Sequence, residues 1–114
     1  MSVCMVLIRL DSNNWEEITN SSNCILILGT SKCSNCREWI GIIEKEVENG
    51  FAKDYIIAKV ILDNNSLVQF KMKNSWINQI DIFPHTAIIS EGKRISFMSG
   101  KSIERLQEMI SNSS

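Results

Sequence analysis

The chain has 114 residues, 44% of them apolar, and a formal net charge of −1 from 12 Lys and Arg against 13 Asp and Glu. That length supplies one domain, residues 1–114, with a real hydrophobic core and leaves little for a second, and scattered basic residues argue against a nucleic-acid partner. No apolar run approaches the ~20 residues that span a bilayer, and Met1–Arg9 lacks the basic start and cleavage site of a secretory signal, so the expectation is a cytoplasmic protein without a membrane partner.

Val3 to Arg9 reads as a first strand. Asp11-Ser12-Asn13-Asn14 then supplies capping and turn residues for a short helix with Trp15, Ile18 and Thr19 on its apolar side. Asn20-Ser21-Ser22-Asn23 ends it, and Cys24-Ile25-Leu26-Ile27-Leu28-Gly29, short and uninterrupted, reads as a buried strand of a parallel sheet. Ser31-Lys32-Cys33-Ser34-Asn35-Cys36-Arg37 follows directly. Beyond it Trp39, Ile40, Ile43 and Val47 recur at helical spacing, with Glu44, Lys45, Glu46 and Glu48 mostly on the solvated side, until Asn49-Gly50 stops the helix.

Tyr55 to Leu62 is β-branched and nearly all apolar, a central strand broken by Asp63-Asn64-Asn65-Ser66. Leu67, Phe70, Met72, Trp76, Ile77 and Ile80 have partial helical spacing interrupted at Lys73-Asn74-Ser75, which fits one helix with a frayed centre or two short ones. Pro84, the only proline, precedes an apolar strand that reaches Ser90, and Glu91-Gly92-Lys93 turns into an edge strand over Arg94 to Met98. After a turn at Gly100, Ser102 caps a last helix whose buried stripe is Ile103, Leu106, Met109 and Ile110; the tail from Ser111 frays. Strands and helices that alternate and then close with a hairpin and a helix predict an α/β fold, a mixed sheet of about five strands with about four helices on its two faces.

The Cys-x-x-Cys pair sits where a strand hands over to a helix, which places both cysteines on the helix's first turn. The orphan N–H groups and positive dipole end there favour a thiolate, and such settings lower a cysteine from its usual ~8.5 into a range of about 3.5–7.5. Lys32 and Arg37 add positive potential on either side. Cβ atoms three residues apart on a helix lie about 5–6 Å apart, against about 3.5–4.5 Å in a disulfide. A small adjustment therefore closes the bond, with Cys33 as attacking and Cys36 as resolving sulfur.

With Phe83-Pro84 before Thr86-Ala87-Ile88-Ile89, and Glu91-Gly92-Lys93 followed by Gly100, these elements resemble the thioredoxin superfamily over nearly the whole chain. The resemblance implies strand order 1-3-2-4-5, with the second and third strands parallel and the hairpin strand at an edge. It also implies a cis Pro84 packed beside the cysteines and a Phe83 backbone that pairs with an extended stretch of substrate. Departures are specific. Thioredoxins proper carry Trp-Cys-Gly-Pro-Cys, whereas Lys32 precedes the first cysteine here and Ser34-Asn35 separates the two. Their buried acid is replaced by Ile27, which leaves proton movement at Cys36 to water or to Lys59, and the Gly-Gly-x-Asp-Asp-type glutathione signature of glutaredoxins is missing.

The expected function is a monomeric thiol–disulfide oxidoreductase with catalytic Cys33 and Cys36, and Lys32, Ser34, Asn35, Phe83, Pro84 and His85 lining its substrate surface. It needs no cofactor beyond the redox-active disulfide, and its partners are protein disulfides and a recycling reductase or oxidant. The alternative is a non-catalytic binding module or redox-switch adaptor using the Phe83-Pro84 groove. A zinc site usually needs four ligands, and Cys4, Cys24 and His85 would have to converge from separate strands, so no metal is expected. Cys4 and Cys24 read as small buried hydrophobes, Trp15, Trp39 and Trp76 as core, and His85 as a surface or groove-edge residue that tunes the thiols rather than a base.

Overall fold

The computed structural model describes residues 7–113. The Val3–Val6 part of the predicted first strand, and Cys4 with it, lie outside the described residues. What is described of that strand is β1, Ile8–Arg9. Strand β2 (Cys24–Gly29) follows helix α1 (Trp15–Thr19), and helix α2 (Ser34–Glu48) precedes strand β3 (Ile56–Ile61). After short helix α3 (Val68–Lys73) come strands β4 (His85–Ser90) and β5 (Lys93–Ser99) and helix α4 (Ile103–Ser113).

The five strands form one mixed sheet in the order β1-β3-β2-β4-β5. Strand β3 runs parallel to both β1 and β2, and β4 runs antiparallel to β2 and β5. Every residue of β2 is buried, as befits a strand with neighbours on both edges and helices on both faces. Alternation along the strands divides the core. Cys24, Leu26 and Leu28 join Ala58, Val60, Ala87 and Ile89 beneath Trp15, Ile18 and Phe70, on the side of α1 and α3. Ile25, Ile27, Ile57 and Ile88 pack with Trp39 and Ile43 of α2 and Leu106 of α4 on the other.

Local chemistry explains the short elements. Asp11 Oδ1 accepts from the Asn13 and Asn14 N–H groups while Asn14 Oδ1 accepts from Asp11 N–H, a reciprocal polar knot that turns the chain into α1. The apolar stretch after β3 resolves into two 3-10 turns, Asn65–Leu67 and Ser75–Gln79, on either side of six-residue α3. Asn74 breaks the helix there, its side-chain amide donating to the Phe70 carbonyl at 2.8 Å, a local bond that competes with the next helical turn. Ser102 caps α4 as expected, its hydroxyl accepting from Arg105 N–H at 3.3 Å.

Candidate redox site

Buried β2 ends at Gly29, and the loop Thr30–Lys32 carries the chain to α2. That loop is held on two sides. Asp63, just past β3, accepts from Ser31 N–H at 3.0 Å and from the Ser31 hydroxyl. Arg37 Nη1 donates back to the Ser31 carbonyl at 3.0 Å. The Ser31 hydroxyl, more than any other group, holds the exposed Asp63 carboxyl below its usual range.

Cys33 is the N-cap of α2, one residue outside the helix rather than in its first turn. The reason is visible in its backbone: at φ −90° and ψ 106° it is extended, which lets its own Sγ accept the orphan Cys36 N–H at 3.1 Å. A sulfur thus takes the place usually filled by a Ser or Asp oxygen. Cys36 lies in the first turn, and the two form a disulfide with Cα atoms 5.2 Å apart. Cys33 is partly exposed, whereas Cys36 is buried against Gly29, where an added Cβ would stand 2.5 Å from the Cys36 sulfur.

The Phe83–Pro84 peptide is cis. Pro84 is buried and Phe83 partly so, at the entry to β4, whose first residue His85 pairs with Leu28 of β2. The Pro84 carbonyl accepts from Gly100 N–H at 3.0 Å, and Gly100 adopts φ +97°, a conformation that suits glycine. Next to it Lys101 reaches the N-terminal turn of α2, bonding Asn35 Oδ1 at 3.2 Å and Glu38 Oε1 at 2.8 Å. On the α2 side of the sheet, Trp39 Nε1 donates to Thr86 Oγ1 at 2.8 Å. So β4, the β5–α4 turn and α2 are fastened together around the two cysteines.

Of the residues expected to line the substrate surface, Lys32, Ser34 and Asn35 are exposed in the loop and first turn, with the Asn35 amide oxygen engaged by Lys101. His85 departs from the groove-edge expectation. It is only 4% exposed, and it shares the face of Ala87 and Ile89, opposite Thr86 and α2. Its ring stacks on Phe97 (5.4 Å between centroids) and lies 5.9 Å from Trp76. Arg94 Nη1 lies 3.3 Å from its Nε2; a guanidinium only donates, so Nε2 is the acceptor and the neutral ring carries its proton on Nδ1. Burial, helped by the Arg94 charge, pushes its pKa down to about 4.

Two contributors were missed by sequence reasoning. Lys101 has no motif to mark it, and Thr86 reads as an ordinary strand residue until Trp39 is placed over it. Cys24 is a buried free thiol whose pKa burial pushes up to about 12, so it fits its reading as a small hydrophobe. Among the described residues no group of three or more His, Cys, Asp or Glu side chains is placed to hold a metal ion. No described helix is long and apolar enough to cross a membrane.

A mixed five-stranded sheet in this order, flanked by four helices, with a disulfide at the start of the second helix and a cis-proline at the entry to β4, is the thioredoxin fold. Solved thioredoxins agree. That of Malassezia sympodialis superposes with a TM-score of 0.75 at 18% identity, over 100% of this chain and 97% of that one. Chlamydomonas reinhardtii thioredoxin f2 does so with 0.73 at 17% identity, over 93% and 94%. A thioredoxin f2 solved in complex with ferredoxin:thioredoxin reductase gives 0.74 at 16% identity, over 97% and 98%. No protein-family model and no curated protein sequence matches the chain. Architecture and cysteine pair together define a thioredoxin-fold protein with a Cys-Ser-Asn-Cys motif.

Proposed function

We propose that the protein is a thiol–disulfide oxidoreductase acting on protein disulfides. One observation carries this reading: the Cys36 N–H at the head of α2 points at Cys33 Sγ, so the site offers a hydrogen bond and a positive dipole end to a Cys33 thiolate once the disulfide is reduced. The Cys33 thiolate attacks one sulfur of the substrate disulfide, forming a mixed disulfide and releasing the other substrate sulfur as a thiolate that takes a proton from solvent. Cys36, deprotonated, then attacks Cys33 Sγ and releases the second substrate thiolate. Two electrons have passed from the dithiol to the substrate, and the Cys33–Cys36 disulfide remains. The reverse direction uses the same atoms.

Exposed Lys32 and Ser34, with the backbone at Phe83 and the ring of Pro84, form the contact surface for the client. Asn35, whose amide oxygen accepts from Lys101, and His85, whose Nε2 accepts from Arg94, hold that surface in shape. No cofactor takes part in the exchange itself; a recycling reductase or oxidant restores the pair, and the neighbour solved with ferredoxin:thioredoxin reductase supports the former. We place this cycle in the cytoplasm, where thiols are kept reduced, and assign it to a monomer of one domain.

Insulin reduction driven by dithiothreitol tests the reading. The wild type accelerates precipitation of the insulin B chain and Cys33→Ser does not. Equal rates would refute catalysis by this pair.

A further inference from the structure

Strand β2, in the middle of the sheet, leads through the Thr30–Lys32 loop to the two cysteines at the head of α2, with β4, which Pro84 enters, on one side. On its other side, β3 and β1 bring a different chemistry to the same end of the sheet. Arg9 and Lys59 are direct partners in the parallel β1·β3 pair, and Lys59 also pairs with Ile27. Lys59 lies two residues from Ile57, which packs toward Trp39 and Ile43, so it faces α2. There Arg37 joins it. Arg9, Arg37 and Lys59, with Ser31, Ile40 and Ile61, line an open cavity of about 280 Å³.

No acid lines that cavity. Among the described residues the single ion pair within 4 Å is Lys101–Glu38, elsewhere on α2. Asp63, the carboxylate that holds Ser31, is bonded through both oxygens to that residue and is not part of the wall. Like charges directly opposite on neighbouring strands are destabilising, and a third cation from α2 adds to the repulsion. An anion seated among them would relieve it.

We infer that Arg9, Arg37 and Lys59 form a second client subsite, which takes aspartate or glutamate side chains flanking the substrate's disulfide cysteine. This rests on the oxidoreductase reading. Ser31, two residues before Cys33, forms the shared rim. A client joined at Cys33 with one flank along Phe83 has its other flank directed over Ser31 into this cavity. Charge complementarity of this kind sets partner choice and encounter rate.

The test uses two rhodamine-labelled peptides around one cysteine, blocked as the thioether, with Asp or Gln flanking it. Anisotropy should show the Asp peptide binding wild-type protein at least about fivefold tighter in low salt, and Arg9→Gln/Arg37→Gln should bring the ratio to about one, as should 0.5 M NaCl. Equal affinities in the wild type, no measurable binding of either peptide, or a preference untouched by the double variant would overturn the inference. Reduction of neutral 4,4′-dipyridyl disulfide is followed in parallel for the wild type and for Arg9→Gln alone, which leaves Arg37 beside the cysteines, and should be the same in both. Its absence in both would remove the oxidoreductase reading while the binding arm still decides the subsite.

Discussion

Gly29 and Cys36 touch in a way that admits no side chain between them: a Cβ on Gly29 would lie 2.5 Å from the Cys36 sulfur and 2.8 Å from its Cβ. The end of the central strand is therefore the seat of the buried sulfur. Gly29→Ala must shift Cys36 in both forms through its Cβ, and only in the oxidised form is the sulfur also held against the new methyl, since a free thiol can rotate away. Overpacking of this kind costs about 1–3 kcal/mol, and about 30 mV corresponds to roughly 1.4 kcal/mol for a two-electron couple. The reduction potential should rise by about 20–60 mV, measured by glutathione titration with thiol trapping and mass spectrometry. An unchanged potential would show that the seat is not a constraint.

Cys36→Ser leaves Cys33 able to attack and unable to be released. Incubated with a disulfide-bearing client, it should accumulate a Cys33-linked mixed disulfide, visible on non-reducing gels and abolished by dithiothreitol. An adaptor that uses the Phe83–Pro84 surface without chemistry would retain partners with no covalent species.

The Trp39–Thr86 bond spans the layer between α2 and β4, and both residues are fully buried. Trp39→Phe strands the Thr86 hydroxyl and leaves space where the indole was, so unfolding in urea should show a loss of about 2–4 kcal/mol. Lys101→Ala removes a partly exposed pair to Glu38 and should cost no more than ~0.5 kcal/mol.

His85 makes stability depend on pH in a specific window. Its pKa in the folded protein, about 4, lies below the ordinary 6.5, so the unfolded chain binds the proton first. The stabilisation is complete above pH 6.5 and is lost as pH falls from there toward 4. Between pH 7 and pH 5 the loss should be about 2 kcal/mol. Denaturation curves of the wild type against His85→Gln isolate it, since the variant lacks this slope whatever its absolute stability.

Why the sequence foretold some of this and not the rest follows from the range of the forces involved. Strands β2 and β4 and helix α2 are written in local patterns: an unbroken apolar run, a β-branched run after a proline, and apolar residues at helical spacing. The junction at Cys33 could be placed within a residue, but whether it caps the helix or begins it depends on ψ at one position. His85 was misjudged because its polarity suggested solvent, although it keeps step with Ala87 and Ile89 at the strand's two-residue period and so had to face the layer beneath. The cis peptide, the strand order and the parallel pairing came from family resemblance. Lys101 and the Arg9–Lys59–Arg37 cluster were invisible as such, because they are juxtapositions of distant segments.

Labelling separates the thiols. In the reduced protein at pH 7, iodoacetamide should modify Cys33 within minutes and leave Cys24 untouched until denaturant is added, because a group whose pKa is pushed up to about 12 holds almost no thiolate. Peptide mapping of the alkylated protein checks this, and rapid alkylation of Cys24 in the native state would contradict its burial.

The placement of β2 between β3 and β4 also governs how the molecule loosens. Amides of Leu26 to Leu28 can meet deuterium only when the entire sheet comes apart, whereas those of Ile8 and Arg9, on an edge strand paired only with β3, exchange through opening of that one pairing. The sulfur chemistry is thus anchored beside the central strand, while one wall of the cationic cavity belongs to an edge strand. A client's charged flank would meet a yielding surface and its disulfide a fixed one.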